Sequence, residues 1–133
     1  MELKLLNKKI RMVVEKTNTG FSAYSEDYPI FTTATKMTDL LINATEAANL
    51  YFNETGQTIN KNTIKFELDF KQFFQYYRVL NSKFLALKIG MNPTLLSQYI
   101  SGTKKPSNKQ TEKILNGIQS IGRELSEIKL IYN

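Results

Sequence analysis

The sequence has no cysteine, no histidine and no tryptophan in 133 residues, and only three prolines. Without Cys there is no disulfide and no thiol nucleophile. Without His there is no imidazole base, and the imidazole and thiolate donors on which zinc sites rely are missing. Any catalysis would fall to carboxylates, Lys, Ser, Thr and Tyr. No stretch approaches the roughly 18 apolar residues a membrane helix needs. The start, Met1-Glu2-Leu3-Lys4, lacks the basic-then-apolar layout of a signal peptide, so a cytoplasmic location is expected. Glu15, Glu26, Asp27 and Asp39 are the carboxylates available to a divalent-metal nuclease site, but they sit singly or in a polar loop. The expectation is a protein that is not an enzyme and needs no cofactor or metal.

What is present is positive charge, and it is unevenly placed. The chain carries a formal +6, with an isoelectric point near 9.5. Residues 1 to 66 are close to neutral. From 77 to 117, Arg78, Lys83, Lys88, Lys104, Lys105, Lys109 and Lys113 face only Glu112. A polyanionic partner is therefore expected for the second half.

Hydrophobic periodicity divides the chain at the same place. Ile10-Met12-Val13-Val14 forms an apolar run, and Gly20-Phe21-Ser22-Ala23-Tyr24 alternates after a Thr17-Asn18-Thr19-Gly20 turn, which predicts a hairpin. Phe31-Thr32-Thr33-Ala34 reads as a third strand. From Met37 to about Phe52, Leu40, Leu41, Ala44, Ala47, Ala48 and Tyr51 recur at helical spacing, with Thr38 as the expected cap, and Gly56 follows the helix end. Thr63 to Leu68 returns to period two. The expected fold class is α+β: a β-β-β-α-β domain over residues 1–68, followed by an all-α domain over 69–133. A unit as small as the first buries only about 60% of its unfolded surface, so pairing with a neighbour or a second copy is expected.

In the second part, Asp69 can cap a helix from Phe70 to Tyr77, and Asn81 one from Ser82 to Ile89. A third begins near Pro93 and stops at Gly102, and Ser107 can cap a fourth, longer one. Ile114, Leu115, Ile118, Ile121, Leu125 and Ile128 repeat every three or four residues along the fourth. The pair Ser82–Ile89 and Pro93–Ser101 has the dimensions of a helix-turn-helix. Ala86 is small where the helices must cross, Gly90 suits a left-handed turn, and Met91 and Leu96 are the apolar anchors. The run from Leu85 to Ser107 resembles the DNA-binding domains of the phage-repressor and Cro family, and the resemblance covers roughly residues 69 to 128. It implies that Asn92, Thr94, Leu95 and Gln98 face base edges, Gln98 being suited to bidentate pairing with adenine. Lys83, Lys88, Lys104, Lys105 and Lys109 are then the phosphate contacts. Arg and His are absent from the presumed reading helix, so guanine readout by a bidentate Arg is not expected. One such helix rarely supplies enough specificity, so a homodimer or larger assembly on two half-sites of double-stranded operator DNA is expected, through the last helix or Leu130 to Tyr132.

The first half, through Lys9 to Lys16, Gly20 to Tyr24, Tyr28-Pro29, Thr32-Thr33-Ala34 and Asn43 to Ala47, is similar to the HicB family of antitoxins. That resemblance implies a degenerate RNase H-like domain that binds and masks a HicA-type toxin, a ribonuclease of messenger RNA, while the second domain represses the operon. Where that family commonly has glycines, Ile30 and Ala34 stand here, and Thr38-Asp39 replaces its acidic pair. Asp27, Tyr28 and Pro29, in an exposed-looking loop, are the expected toxin contacts. The competing reading is a stand-alone transcriptional regulator whose first domain senses a ligand or dimerises.

Overall fold

The computed structural model describes residues 2–132, and it is α+β, with five α-helices and two sheets of four and two strands. The chain divides into two compact units between Tyr76 and Tyr77.

In the first unit, β2 (Ile10–Thr17), β3 (Gly20–Tyr24) and β4 (Phe31–Ala34) form an antiparallel meander. Helix α1 (Met37–Phe52) crosses over, and β6 (Ile64–Leu68) then pairs parallel to β2. The sheet order is β4-β3-β2-β6. The hairpin loop between β2 and β3 is the two-residue Asn18-Thr19, as the turn residues predict. Gly20 is required there because a Cβ would lie 2.2 Å from the Ala34 carbonyl oxygen. Ile10, Met12 and Val14 on β2 point to one face and are buried together with Ala23 and Ile64 against Leu40, Ala44, Ala48 and Phe52 of α1. The alanines at every fourth position let the helix axis approach the sheet closely. Tyr51, expected on this buried face, is 39% exposed at its margin.

The expected cap of α1 is corrected. The helix begins at Met37, which places Thr38 inside its first turn. The N-cap is Lys36, whose extended backbone supplies no side-chain acceptor. A 3₁₀ turn (Asn53–Thr55) and left-handed Gly56 close the helix. A second, parallel pair joins β1 (Lys4–Leu5) to β5 (Gln57–Thr58), two short strands that no alternation in the sequence marks.

Two side-chain amides replace peptide groups where strands run out. Asn49 Nδ2 donates to the Ile59 carbonyl at 2.9 Å, and Ile59 N–H donates to Asn49 Oδ1 at 2.6 Å. Gln72 does the same for Lys16, at 2.7 and 2.9 Å, beyond the last residue of β6 paired to β2. Gln72 belongs to α2 (Phe70–Tyr76), capped by Asp69 as expected, and the Tyr76 hydroxyl donates to Asn18 at 3.0 Å. Helix α2 is thereby tied to the β2–β3 hairpin, and the division after Tyr76 falls within the stretch from Leu68 to Asn81 where hydrophobic period and charge both change.

The second unit consists of α3 (Ser82–Ile89), α4 (Pro93–Ser101) and α5 (Asn108–Ser126). All three N-caps are side-chain oxygens: Asn81 accepts from Phe84 N–H, Asn92 from Thr94 and Ser107 from Gln110. Gly90 and Gly102 take left-handed conformations that end α3 and α4. The interior is small: Leu85, Ala86, Met91, Leu96 and Ile114. Helix α5 stops at Ser126, so Ile128 falls outside the helix in which its spacing had placed it and is 70% exposed. No helix among the described residues is long and apolar enough to cross a membrane.

Candidate nucleic-acid interface

The geometry of α3 and α4 follows from the residues between them. Gly90, at φ +70°, reverses the chain, and its N–H bonds the carbonyls of Ala86 and Leu87. Met91 N–H then bonds the Ala86 carbonyl at 2.8 Å, and the Met91 side chain is buried, as is that of Leu96. Ala86 is fully buried, so no larger side chain fits at the crossing without moving a helix. Lys113 on α5 donates to the Gly90 carbonyl at 3.4 Å, placing a cation at the C-terminal end of α3 where the helix dipole favours it.

The residues expected to face base edges are placed differently from one another. Thr94 is exposed on the first turn of α4. Asn92 is exposed too, but its Oδ1 is committed to the Thr94 N–H at 2.8 Å, so only its NH₂ remains for another acceptor. Leu95 and Gln98 are half-buried rather than fully outward. The Gln98 carbonyl accepts from Lys104 N–H and from Ser101 Oγ, both at 3.2 Å, which ties the turn after α4 to its last helical residues. Ser97 shares the exposed face with Thr94 and was missed by the sequence reading. Its position three residues on from Thr94 was the available signal.

The lysines also separate into groups. Lys83, Lys104, Lys105 and Lys109 are exposed, the last three between the end of α4 and the first turn of α5. Lys88 instead pairs with Glu124 of α5 at 2.9 Å. That pair is exposed on both sides and contributes little to stability, but it half-neutralises one expected phosphate contact.

In the first unit, Asp27 and Pro29 are exposed, whereas Tyr28 is not the free ring the loop suggested. Ser25 Oγ accepts from Asp27 and Tyr28 N–H, each at 3.1 Å, and this turns the Tyr28 ring onto α1. There its centroid lies 4.9 Å from Phe52 and 5.7 Å from Tyr51. The Tyr28 hydroxyl holds the nearby Lys8 ammonium above its ordinary range. The four carboxylates considered for a metal do not converge. Glu26 bonds Arg11 at 2.6 Å, Asp39 lies in the first turn of α1, and no group of three potential ligands is close enough to share an ion among the described residues. Arg11 also bonds Glu67 at 2.9 Å, and Glu67 and Glu26 together push its guanidinium pKa up.

No protein-family model, curated protein or solved structure matches the chain.

Proposed function

We propose that this chain is an antitoxin and autorepressor: its first unit binds and masks a HicA-type toxin that cleaves messenger RNA, and its second unit, as a homodimer or higher homo-oligomer, reads operator DNA through α4. The observation that carries the DNA-binding half is the α3–Gly90–α4 arrangement. Its buried contacts are Ala86, Met91 and Leu96, and it leaves Thr94 and Ser97 exposed beside a lysine-rich turn. An exposed helix start that carries hydroxyls suits a major groove, and the flanking lysines suit phosphates. The first half of the reading draws support from the four-stranded sheet and its helix, which follow the chain order β2-β3-β4-α1-β6, with the short β1·β5 pair added beside them. It requires only stoichiometric binding.

The test is binding of the purified chain to duplex from immediately upstream of its own gene and to a scrambled duplex, across a salt series. The expected result is a preference of about a thousandfold at physiological salt. Thr94→Ala with Gln98→Ala should abolish the preference. Lys104→Ala should weaken both duplexes alike and reduce the salt slope by about one. Lys88→Ala should do less, because Glu124 already holds that ammonium. Equal, steeply salt-sensitive binding to both duplexes would refute sequence-specific reading.

A further inference from the structure

The solvent face of α1 has an unusual composition for a surface helix. Leu40, Ala44, Ala48 and Phe52 are its buried stripe. The stripe directly opposite, at spacings of three, four and four, is Asp39, Ile42, Glu46 and Leu50, so carboxylates alternate with large apolar side chains. All four are exposed, Ile42 at 56% and Leu50 at 77%. A helix that merely faces water carries polar and charged residues there. The stripe also runs against the charge of the molecule: α1 has no Lys or Arg, in a chain with 18 of them. Neither Asp39 nor Glu46 forms a salt bridge among the described residues. The two carboxylates are spaced about 10 Å apart along the helix axis.

We infer that this face of α1 is the docking surface for a cationic protein partner, with Ile42 and Leu50 as apolar anchors and Asp39 and Glu46 meeting Lys or Arg around them. Exposed apolar anchors at helical spacing are how a helix seats in a groove, and the acidic positions select a basic groove over a neutral one. The inference rests on the antitoxin reading and gives it a mechanism. A ribonuclease must present cations to the RNA backbone, and the α1 carboxylates can occupy those cations in place of phosphates. Inhibition is then competitive with RNA, and the principal contact surface moves from the loop Asp27 to Pro29 to the helix.

The probe is the purified product of the reading frame adjoining this gene, titrated with the full-length chain by calorimetry at several salt concentrations. The Ile42→Ser/Leu50→Ser variant should bind at least tenfold more weakly. Asp39→Asn/Glu46→Gln should bind at least tenfold more weakly with a flatter salt dependence. A short single-stranded RNA should compete with the wild-type chain. All four positions are exposed, so the melting temperature should fall by only a few degrees through the helix dipole and helix propensity, and operator binding should be unchanged, which separates loss of docking from loss of fold. Wild-type binding that both variants retain would overturn the α1 surface and leave the antitoxin reading standing. No binding by the wild-type chain would overturn both. If sedimentation shows that the variants instead lose self-association, the face is a contact between copies of this chain and the inference fails.

Discussion

The two units hold themselves together by different means. The first has an interior of Ile10, Met12, Val14, Ala23, Ile30, Leu40, Ala44, Ala48, Phe52, Ile59 and Ile64 between sheet and helix, and it tolerates a helix start without a side-chain cap. The second buries five apolar residues, and every one of its helices starts on a side-chain oxygen. A thin interior supplies little hydrophobic stabilisation, so local hydrogen bonds worth about 1 kcal/mol each form a larger share of the total. The sheet unit, by contrast, depends on partners far away in sequence, such as Asn49 with Ile59 and Gln72 with Lys16.

The sharpest way to break this contrast is to truncate each interior. Leu96→Ala and Leu40→Ala both remove a fully buried leucine and should each cost about 3 kcal/mol. In the second unit that loss should be enough to unfold α3 to α5, whereas the first should remain folded at a lower midpoint. Urea titrations followed by backbone amide resonances from each unit separate the two. Next in size is Asn49→Ala, which strands the Ile59 N–H and carbonyl. It should cost about 2 kcal/mol, and hydrogen exchange at Ile59 should rise with it. The caps provide a change of sign. Ser107→Ala should destabilise the second unit by about 1 kcal/mol, and Lys36→Ser should stabilise the first by a similar amount by supplying the acceptor it lacks. Equal, small effects at both caps would show that local hydrogen bonds do not distinguish the units.

Within α5, Gly122→Ala should gain about 1 kcal/mol, because nothing lies within 4 Å of the new methyl. Gly117→Ala should not gain, because its methyl would lie 2.2 Å from Ile89 Cγ2. Comparing their thermal midpoints shows how closely α3 and α5 pack. The smallest effect concerns pH. Burial, reinforced by Glu15, Asp69 and Glu26, raises the Tyr24 phenol above its ordinary value. The folded state therefore favours the neutral phenol. That contribution is fully present below about pH 10 and is lost as pH rises through the folded value, so Tyr24→Phe should flatten the alkaline decline in melting temperature.

Much of the second unit was legible because its determinants act within a few residues. Asn81, Asn92 and Ser107 bond amides two or three residues ahead, and Gly90 and Gly102 take a backbone conformation that L-residues resist. The same local logic located β2, β3, β4 and the span of α1. What local patterns do not show at the candidate interface is which groups the fold already engages: Asn92 Oδ1 caps α4, Gln98 is half-buried, Lys88 pairs with Glu124, and Ser97 lies exposed beside Thr94.

By itself, then, the sequence determined the elements, their caps and turns, and where the charge lies, because those follow from propensity, periodicity and hydrogen bonds spanning one turn of chain. The tertiary structure alone decided the order β4-β3-β2-β6, the pairing of β1 with β5, the attachment of α2 to the sheet unit and the seating of Tyr28 on α1. These join groups up to 58 residues apart, and which backbone amides lack a partner is defined only once the strands have paired.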